Sequence, residues 1–247
     1  MNEISFRIKP FGTRAVLLEW PAEVRTDILE DIVGFVEFLQ AGPMPVSQWE
    51  FVPVYHSLTL ISRSADLDYP TLKEELEQAY SEYPGPIARE QHHWELPVCY
   101  DAAFGPDLDT AAAALGMSPE ALIEAHTAQP YPVYGIGFLP GFLYLGGIPQ
   151  AIQVPRREAP RLKVPKGAVG LASRQTGIYP QESPGGWNLI GNCPIPLFDP
   201  KREPPCFVSL GDTVRFRSVS RAEYDLHKIE GEVGVYDFKR KYGNAKG

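Results

Sequence analysis

Paired cysteines, a basic surplus and a long apolar run are all missing from this chain of 247 residues. The three cysteines, Cys99, Cys193 and Cys206, are odd in number, widely spaced and without a Cys-x-x-Cys, so no disulfide framework is expected. Met1 to Trp20 carries no secretory signal, and the expectation is reduced thiols in a cytoplasmic protein. Lysine and arginine total 23 against 31 aspartates and glutamates, a net charge of -8. That balance argues against a general nucleic-acid surface, which needs clustered cations and a positive field. No apolar stretch approaches the roughly 20 residues of a membrane span. The nearest, Tyr131 to Leu145, is broken by Pro132, Gly135, Gly137, Pro140 and Gly141.

Several chemical motifs are absent too. There is no Gly-Lys-Ser/Thr phosphate loop, no nucleophile elbow and no Met-Lys-Met biotin attachment site. Gly135-Ile-Gly137-Phe-Leu-Pro140-Gly141 imitates a dinucleotide fingerprint, but its last glycine comes one residue late and a proline stands where the helix would begin. His92 and His93 are adjacent in an expected strand, so they point to opposite faces and do not share a metal; no metal site is expected.

What is present is enough apolar material for a core, 44% of residues, and an uneven distribution of proline and glycine. Ile4 to Ile8, Ala15 to Trp20, Phe51 to Val54 and Ser57 to Ile61 read as strands. Val24, Ile28, Ile32, Phe35, Val36 and Leu39 recur at helical spacing and predict an amphipathic helix over Ala22 to Leu39; a second is predicted over Pro70 to Tyr83. The breaker Tyr83-Pro-Gly-Pro86 closes this region, and an extended segment from His92 to Tyr100 opens the next. Two short helices follow, Asp107 to Leu115 and Pro119 to Ala128, the latter with Ser118 as N-cap and Pro119 as its first residue. Beyond Pro130, short apolar pieces between Gly and Pro predict a compact many-stranded barrel. The expected class is α+β: an α/β domain at 1–88, a β-barrel domain at 89–240, and a frayed tail at 241–247.

The most unusual local chemistry is Pro155-Arg156-Arg157-Glu158-Ala159-Pro160-Arg161. Three guanidiniums in a proline-stiffened loop suit carboxylate or phosphate oxygens; the alternative is a loop whose arginines pair with nearby acids. His126, near a helix end, is either a cap for exposed carbonyls or a proton-handling group. Gly137, Phe138, Pro140 and Gly141 either contact a ligand or serve backbone geometry. Gln175 and Tyr179, with Gly185, Gly186 and Trp187, lie in turn-rich segments that can line a site, although Trp187 also suits a core anchor.

Tyr134-Gly-Ile-Gly-Phe-Leu-Pro-Gly-Phe-Leu-Tyr-Leu-Gly-Gly147, Pro155-Arg-Arg157, Pro160-Arg161, Val164-Pro165, Gln175-Thr-Gly-Ile-Tyr-Pro180, Ser183-Pro-Gly-Gly-Trp187 and Leu189-Ile-Gly191 together resemble the signature of the KipI family, also called allophanate hydrolase subunit 1. The resemblance is densest from His126 to Asp199. It implies a ferredoxin-like-type N-terminal domain and a cyclophilin-like barrel. It also implies the B subunit of an ATP-dependent 5-oxoprolinase that opens 5-oxoproline to glutamate together with KipA-like and LamB/YcsF-like subunits, its C and A components. ATP would be held by the complex rather than assigned to this chain. Alternative family roles are half of the carboxyltransferase of a biotin-dependent urea carboxylase, with biotin on another polypeptide, and inhibition of a histidine kinase. Under the first reading Arg156, Arg157 and Arg161 stabilise developing phosphoryl charge, His126 and Tyr179 handle protons or position groups, and Gln175 gives polar recognition. Gly137, Phe138, Pro140, Gly141, Gly185 and Gly186 complete the substrate-contact set. The family commonly has Arg-Thr where this chain has Asn192-Cys193.

Overall fold

The computed structural model describes residues 6–64, 66–87 and 91–238, so the expected strand from Ile4 lies partly, and the expected tail at 241–247 wholly, outside the described residues. The chain divides into two compact units, Met1–Glu90 and Gln91–Gly247, and the class is mixed helix and sheet.

In the first unit, strands β1 (Arg7–Pro10), β2 (Ala15–Glu19), β3 (Trp49–Val54) and β4 (Ser57–Ser62) pair antiparallel in the order β1-β2-β4-β3. Helices α1 (Thr26–Ala41) and α2 (Tyr69–Glu82) cover one face. Period-2 alternation turns Val16, Leu18, Leu58 and Leu60 to that face, where Ile28, Ile32, Phe35, Leu72 and Leu76 meet them. Helix α1 starts at Thr26 rather than at Ala22. Glu23 N–H closes a turn onto the Pro21 carbonyl, and Arg25, extended at φ -132°, pairs with Glu23 and Asp27, so Val24 stays outside the helix. Asp31 is buried on α1 and accepts from Trp20 Nε1 and Tyr80 Oη, both at 2.7 Å. Burial outweighs those bonds and lifts its carboxyl above the usual range.

The second unit carries β5 (His93–Val98), α3 (Leu108–Ala114), α4 (Pro119–Thr127), β6 (Pro130–Ile136), β7 (Leu143–Leu145), a 3-10 turn at Gln150–Ile152, β8 (Arg161–Val164), β9 (Ala168–Ala172), β10 (Gln175–Ile178), β11 (Ser183–Gly185), β12 (Asn188–Asn192), β13 (Thr213–Ser218) and α5 (Arg221–Glu232). Seven strands follow one path, β5-β13-β6-β7-β10-β9-β12, antiparallel except for β5 with β13. Among the described residues the ladders do not run all the way round. One isolated bridge, Cys99 with Asn192, joins the region after β5 to the end of β12. Strands β8 and β11 form a separate ribbon.

Helix α4 starts as its sequence predicts: Ser118 Oγ accepts from Ala121 N–H, and Pro119 follows. Its other end corrects the capping role expected of His126. The imidazole turns into the core, while Arg215 donates to the Thr127 and Ala128 carbonyls and Tyr131 Oη to that of His126. Helix α5 has no counterpart among the expected elements, although Ser220 and Glu223 form a complete capping box at its start.

Candidate functional site

Strands β9 and β10 set the site because their two faces do different work. Thr176 and Ile178 point into the main core, whereas Gly170 and Gly177, directly opposite each other, leave a slot on the other face. Trp187 fills it: a Cβ on Gly170 would lie 3.0 Å from Trp187 Cβ, and one on Gly177 would lie 3.1 Å from its Cζ3. Around the indole gather Phe142 and Tyr179 at centroid distances of 5.5 and 6.1 Å, with Tyr144 behind Phe142. Arg156 lies over the indole at 6.0 Å, within cation–π range.

The arginine loop is stapled beside this cluster. Arg157 N–H donates to the Gly186 carbonyl at 2.9 Å, and Asn188 Nδ2 donates to that of Pro155 at 2.8 Å. Arg157 Nη1 and Arg161 Nη2 both donate to Oδ1 of Asp107, at 2.8 and 2.7 Å, and Asp107 Oδ2 accepts from Leu189 N–H at 2.7 Å. Asp107 is only 4% exposed. Two of the three arginines therefore have the acidic partner that is the alternative to a pure anion loop. One carboxylate does not use up two guanidiniums, since Arg157 Nε and Arg161 Nη1 are buried without a hydrogen-bond partner among the described residues. The trio keeps one formal positive charge, and Arg156 adds another on the exposed side.

Tyr179 joins this cluster, with its hydroxyl packed against Gly185: a Cβ there would meet Tyr179 Oη at 2.5 Å, so glycine is required. Burial holds the phenol above its ordinary range, against the Trp187 backbone N–H and nearby Arg156 and Arg161. It stays a neutral donor near pH 7 and is no base there. Gln175 sits half-buried at the start of β10, opposite Ala172.

His126 does not belong to the cluster. Its ring is 0% exposed, stacked 4.5 Å from Phe216. Nδ1 is 2.7 Å from Tyr100 Oη and Nε2 is 2.9 Å from Thr176 Oγ1. Thr176 gives its own proton to the Gly170 carbonyl at 3.0 Å, so Nε2 carries the imidazole proton and Nδ1 accepts from Tyr100. Burial pushes its pKa down to about 3. A neutral, sealed ring with both nitrogens satisfied exchanges no proton with a substrate, which corrects its place among the catalytic candidates.

Gly137, Phe138, Pro140 and Gly141 line a separate apolar groove of about 380 Å³ with Phe198 and Cys206. Phe138 is 65% exposed at φ +68°. Gly141, at φ +79°, has no room for a side chain, because a Cβ would lie 2.7 Å from Phe198 Cβ. Phe138 meets the indole cluster edge-on at Phe142, 5.7 Å away. Asp107, the anchor, reads from sequence merely as the start of a helix. Its arginine partners lie 50 and 54 residues away, a separation no local pattern reports.

Residues 6–208 match the profile of the family described as carboxyltransferase domain, subdomain C and D. The chain belongs to that family. This carboxyltransferase-domain chain is 33% identical over 237 residues to the 5-oxoprolinase B subunit of Bacillus subtilis, covering 92% of itself and 98% of that protein. The crystal structure of TTHA0988 superposes with TM-score 0.72 at 36% identity, over 84% of this chain and 40% of that one. Kluyveromyces lactis urea carboxylase gives TM-score 0.79 at 16% identity, over 95% of this chain and 23% of that one, a likeness of fold alone. The carboxyltransferase-domain chain thus spans nearly all of its Bacillus subtilis relative but less than half of either solved protein.

Proposed function

We propose that this chain is the B subunit of an ATP-dependent 5-oxoprolinase, a hydrolase complex in which it works with KipA-like and LamB/YcsF-like subunits. The observation that carries the reading is its near full-length likeness to a protein named as the B subunit of 5-oxoprolinase, 33% identical over 98% of that relative. The geometry is compatible. Lactam opening coupled to ATP consumes two waters and yields glutamate, ADP and phosphate. ATP supplies phosphoryl activation of an otherwise unreactive amide oxygen. The chain's own contribution is a preorganised cationic face: Arg157 and Arg161 fixed on Asp107, and Arg156 held over Trp187. Such fixed charge stabilises an anion without reorganising during the reaction. No phosphate loop occurs in the sequence, so the nucleotide is assigned to the complex. The same reading takes the larger unit as a cyclophilin-like barrel, supported by the Cys99–Asn192 bridge between the ends of its strand path. It also places the chain in the cytoplasm, in keeping with three free thiols.

The test is reconstitution. The chain mixed with its KipA-like and LamB/YcsF-like partners should convert 5-oxoproline to glutamate with matching ADP release, and the chain alone should not. Arg156→Ala should keep its melting temperature and lower turnover by about a hundredfold. No turnover in the complete mixture, or full turnover by the single chain, would sink the proposal.

A further inference from the structure

A second concavity lies in the same unit, with a volume of about 780 Å³; it shares Tyr179 with the indole cluster, but neither Asp107 nor the three loop arginines line it. That volume is within the range of small-molecule sites. One wall is the turn Lys166-Gly167. Three hydrogen bonds fix this turn: Gly167 N–H to the Tyr179 carbonyl at 2.7 Å, Cys193 N–H to the Gly167 carbonyl at 2.8 Å, and Asn192 Nδ2 to the Lys166 carbonyl at 3.0 Å. Gly167 has φ +82°, and a Cβ there would meet both Asn192 Oδ1 and the Cys193 carbonyl at 2.4 Å, so the turn admits only glycine. Helix α5 supplies another part of the wall. It presses so closely on the loop at Pro194 and Pro196 that a Cβ on Gly231 would lie 2.8 Å from Pro196 Cδ. Lys166 and Lys228 are thus exposed side chains carried on closely packed backbone.

The charges of the cavity sort into two kinds. Arg202 is paired with Asp199 at 3.3 Å. Lys166, Lys228 and Glu232 also line the space and have no ion-pair partner among the described residues. Glu232 stands in the last turn of α5, where helix carbonyls add partial negative charge. Two ammoniums and one carboxylate beside a helix C-terminus are the complement of a small molecule with two carboxylates and one ammonium.

We propose that this cavity binds a small α-amino dicarboxylate, with Lys166 and Lys228 receiving the carboxylates and Glu232 with the α5 C-terminus receiving the ammonium. The identity of the natural ligand as L-glutamate, the ring-opened product, rests on the 5-oxoprolinase reading; the charge class does not. The cavity then retains or senses product beside the Asp107 cluster, on the other side of Tyr179.

The experiment is titration of the full chain with L-glutamate, glutarate and 5-oxoproline, read by calorimetry and by amide shifts at Gly167, Gly231 and Gly234. L-Glutamate should bind saturably at millimolar concentration or below. Glutarate, lacking the ammonium, and 5-oxoproline, lacking the ammonium and one carboxylate, should bind about tenfold or more weakly. Lys166→Ala and Lys228→Ala should each weaken L-glutamate by about tenfold without changing the melting temperature. Glu232→Gln should weaken L-glutamate and spare glutarate, and Arg156→Ala, which lowers turnover, should leave the affinity for L-glutamate unchanged. Equal affinity for glutamate and glutarate, indifference to all three cavity variants, or no saturable binding would each overturn the assignment. Turnover of the reconstituted complex is read separately: turnover without binding here removes this inference and leaves the proposed function, and binding without turnover does the reverse.

Discussion

Acid should attack the larger unit through His126. In the folded state its pKa is pushed down to about 3 from an ordinary 6.5, with burial as the cause; in the unfolded chain it returns to the ordinary value. The folded pKa is the lower of the two, so the unfolded state takes up the proton first. The stability tied to the neutral ring is fully present above about pH 6.5 and drains away as pH falls toward 3. Each pH unit in that window is worth about 1.4 kcal/mol, or about 2 kcal/mol lost by pH 5. His126→Gln, which cannot titrate, is the comparison. It should be less stable than the parent at pH 7, because it gives up the Tyr100 and Thr176 bonds, yet the gap should narrow by about 2 kcal/mol at pH 5. Urea unfolding followed by near-ultraviolet circular dichroism measures the gap, and the His126 ring carbons in heteronuclear NMR should keep neutral-form shifts down to about pH 4.5. A gap that stays constant between pH 7 and pH 5, or a ring that titrates near its ordinary value, would refute the sealed neutral imidazole.

Three further outcomes follow from the packing. Asp107→Ala should lower stability by about 3 kcal/mol, since it leaves two guanidiniums without their shared carboxylate and Leu189 N–H without an acceptor; equilibrium unfolding checks it, and an unchanged midpoint would make the ion pairs incidental. Trp187→Ala, which empties the Gly170–Gly177 slot, should cost about 3–5 kcal/mol. Lost turnover at an unchanged melting temperature would instead make the indole a ligand contact. Ser118→Ala should cost about 1 kcal/mol through the lost cap of α4, visible as faster amide exchange in its first turn.

Where structure follows from near neighbours, the sequence reading holds. Helix α4 begins at its Ser-Pro signal, and α2 begins one residue from its predicted start. The alternation of Ser57 to Ile61 becomes β4 with Leu58 and Leu60 inside. Where the deciding contact is remote, it fails. His126 has the position of a helix cap, but Tyr100 and Thr176, 26 and 50 residues away, make it a core residue. The arginine loop has a composition that fits either an anion site or pairing with acids, and its link to Asp107, 50 and 54 residues away, is legible only in the fold. Helix α5 is different again. Its start signal is local and complete in Ser220 and Glu223, whereas the apolar residues Leu226 and Ile229 face outward and Tyr224 supplies the buried contact.

The alternation along β10 has a consequence for how this chain tolerates changes in length. Thr176 serves the imidazole on one side while Gly177 makes room for the indole on the other. Adding one residue inside β10, between Gln175 and Thr176, would break both duties: the Thr176 hydroxyl would intrude beneath Trp187, and a different side chain would stand where His126 needs an acceptor. A residue added at the turn, 173–174, lengthens only the loop and leaves both rings their partners. Among relatives, changes of length in this hairpin should therefore fall at its tip and not within the strand that two rings share.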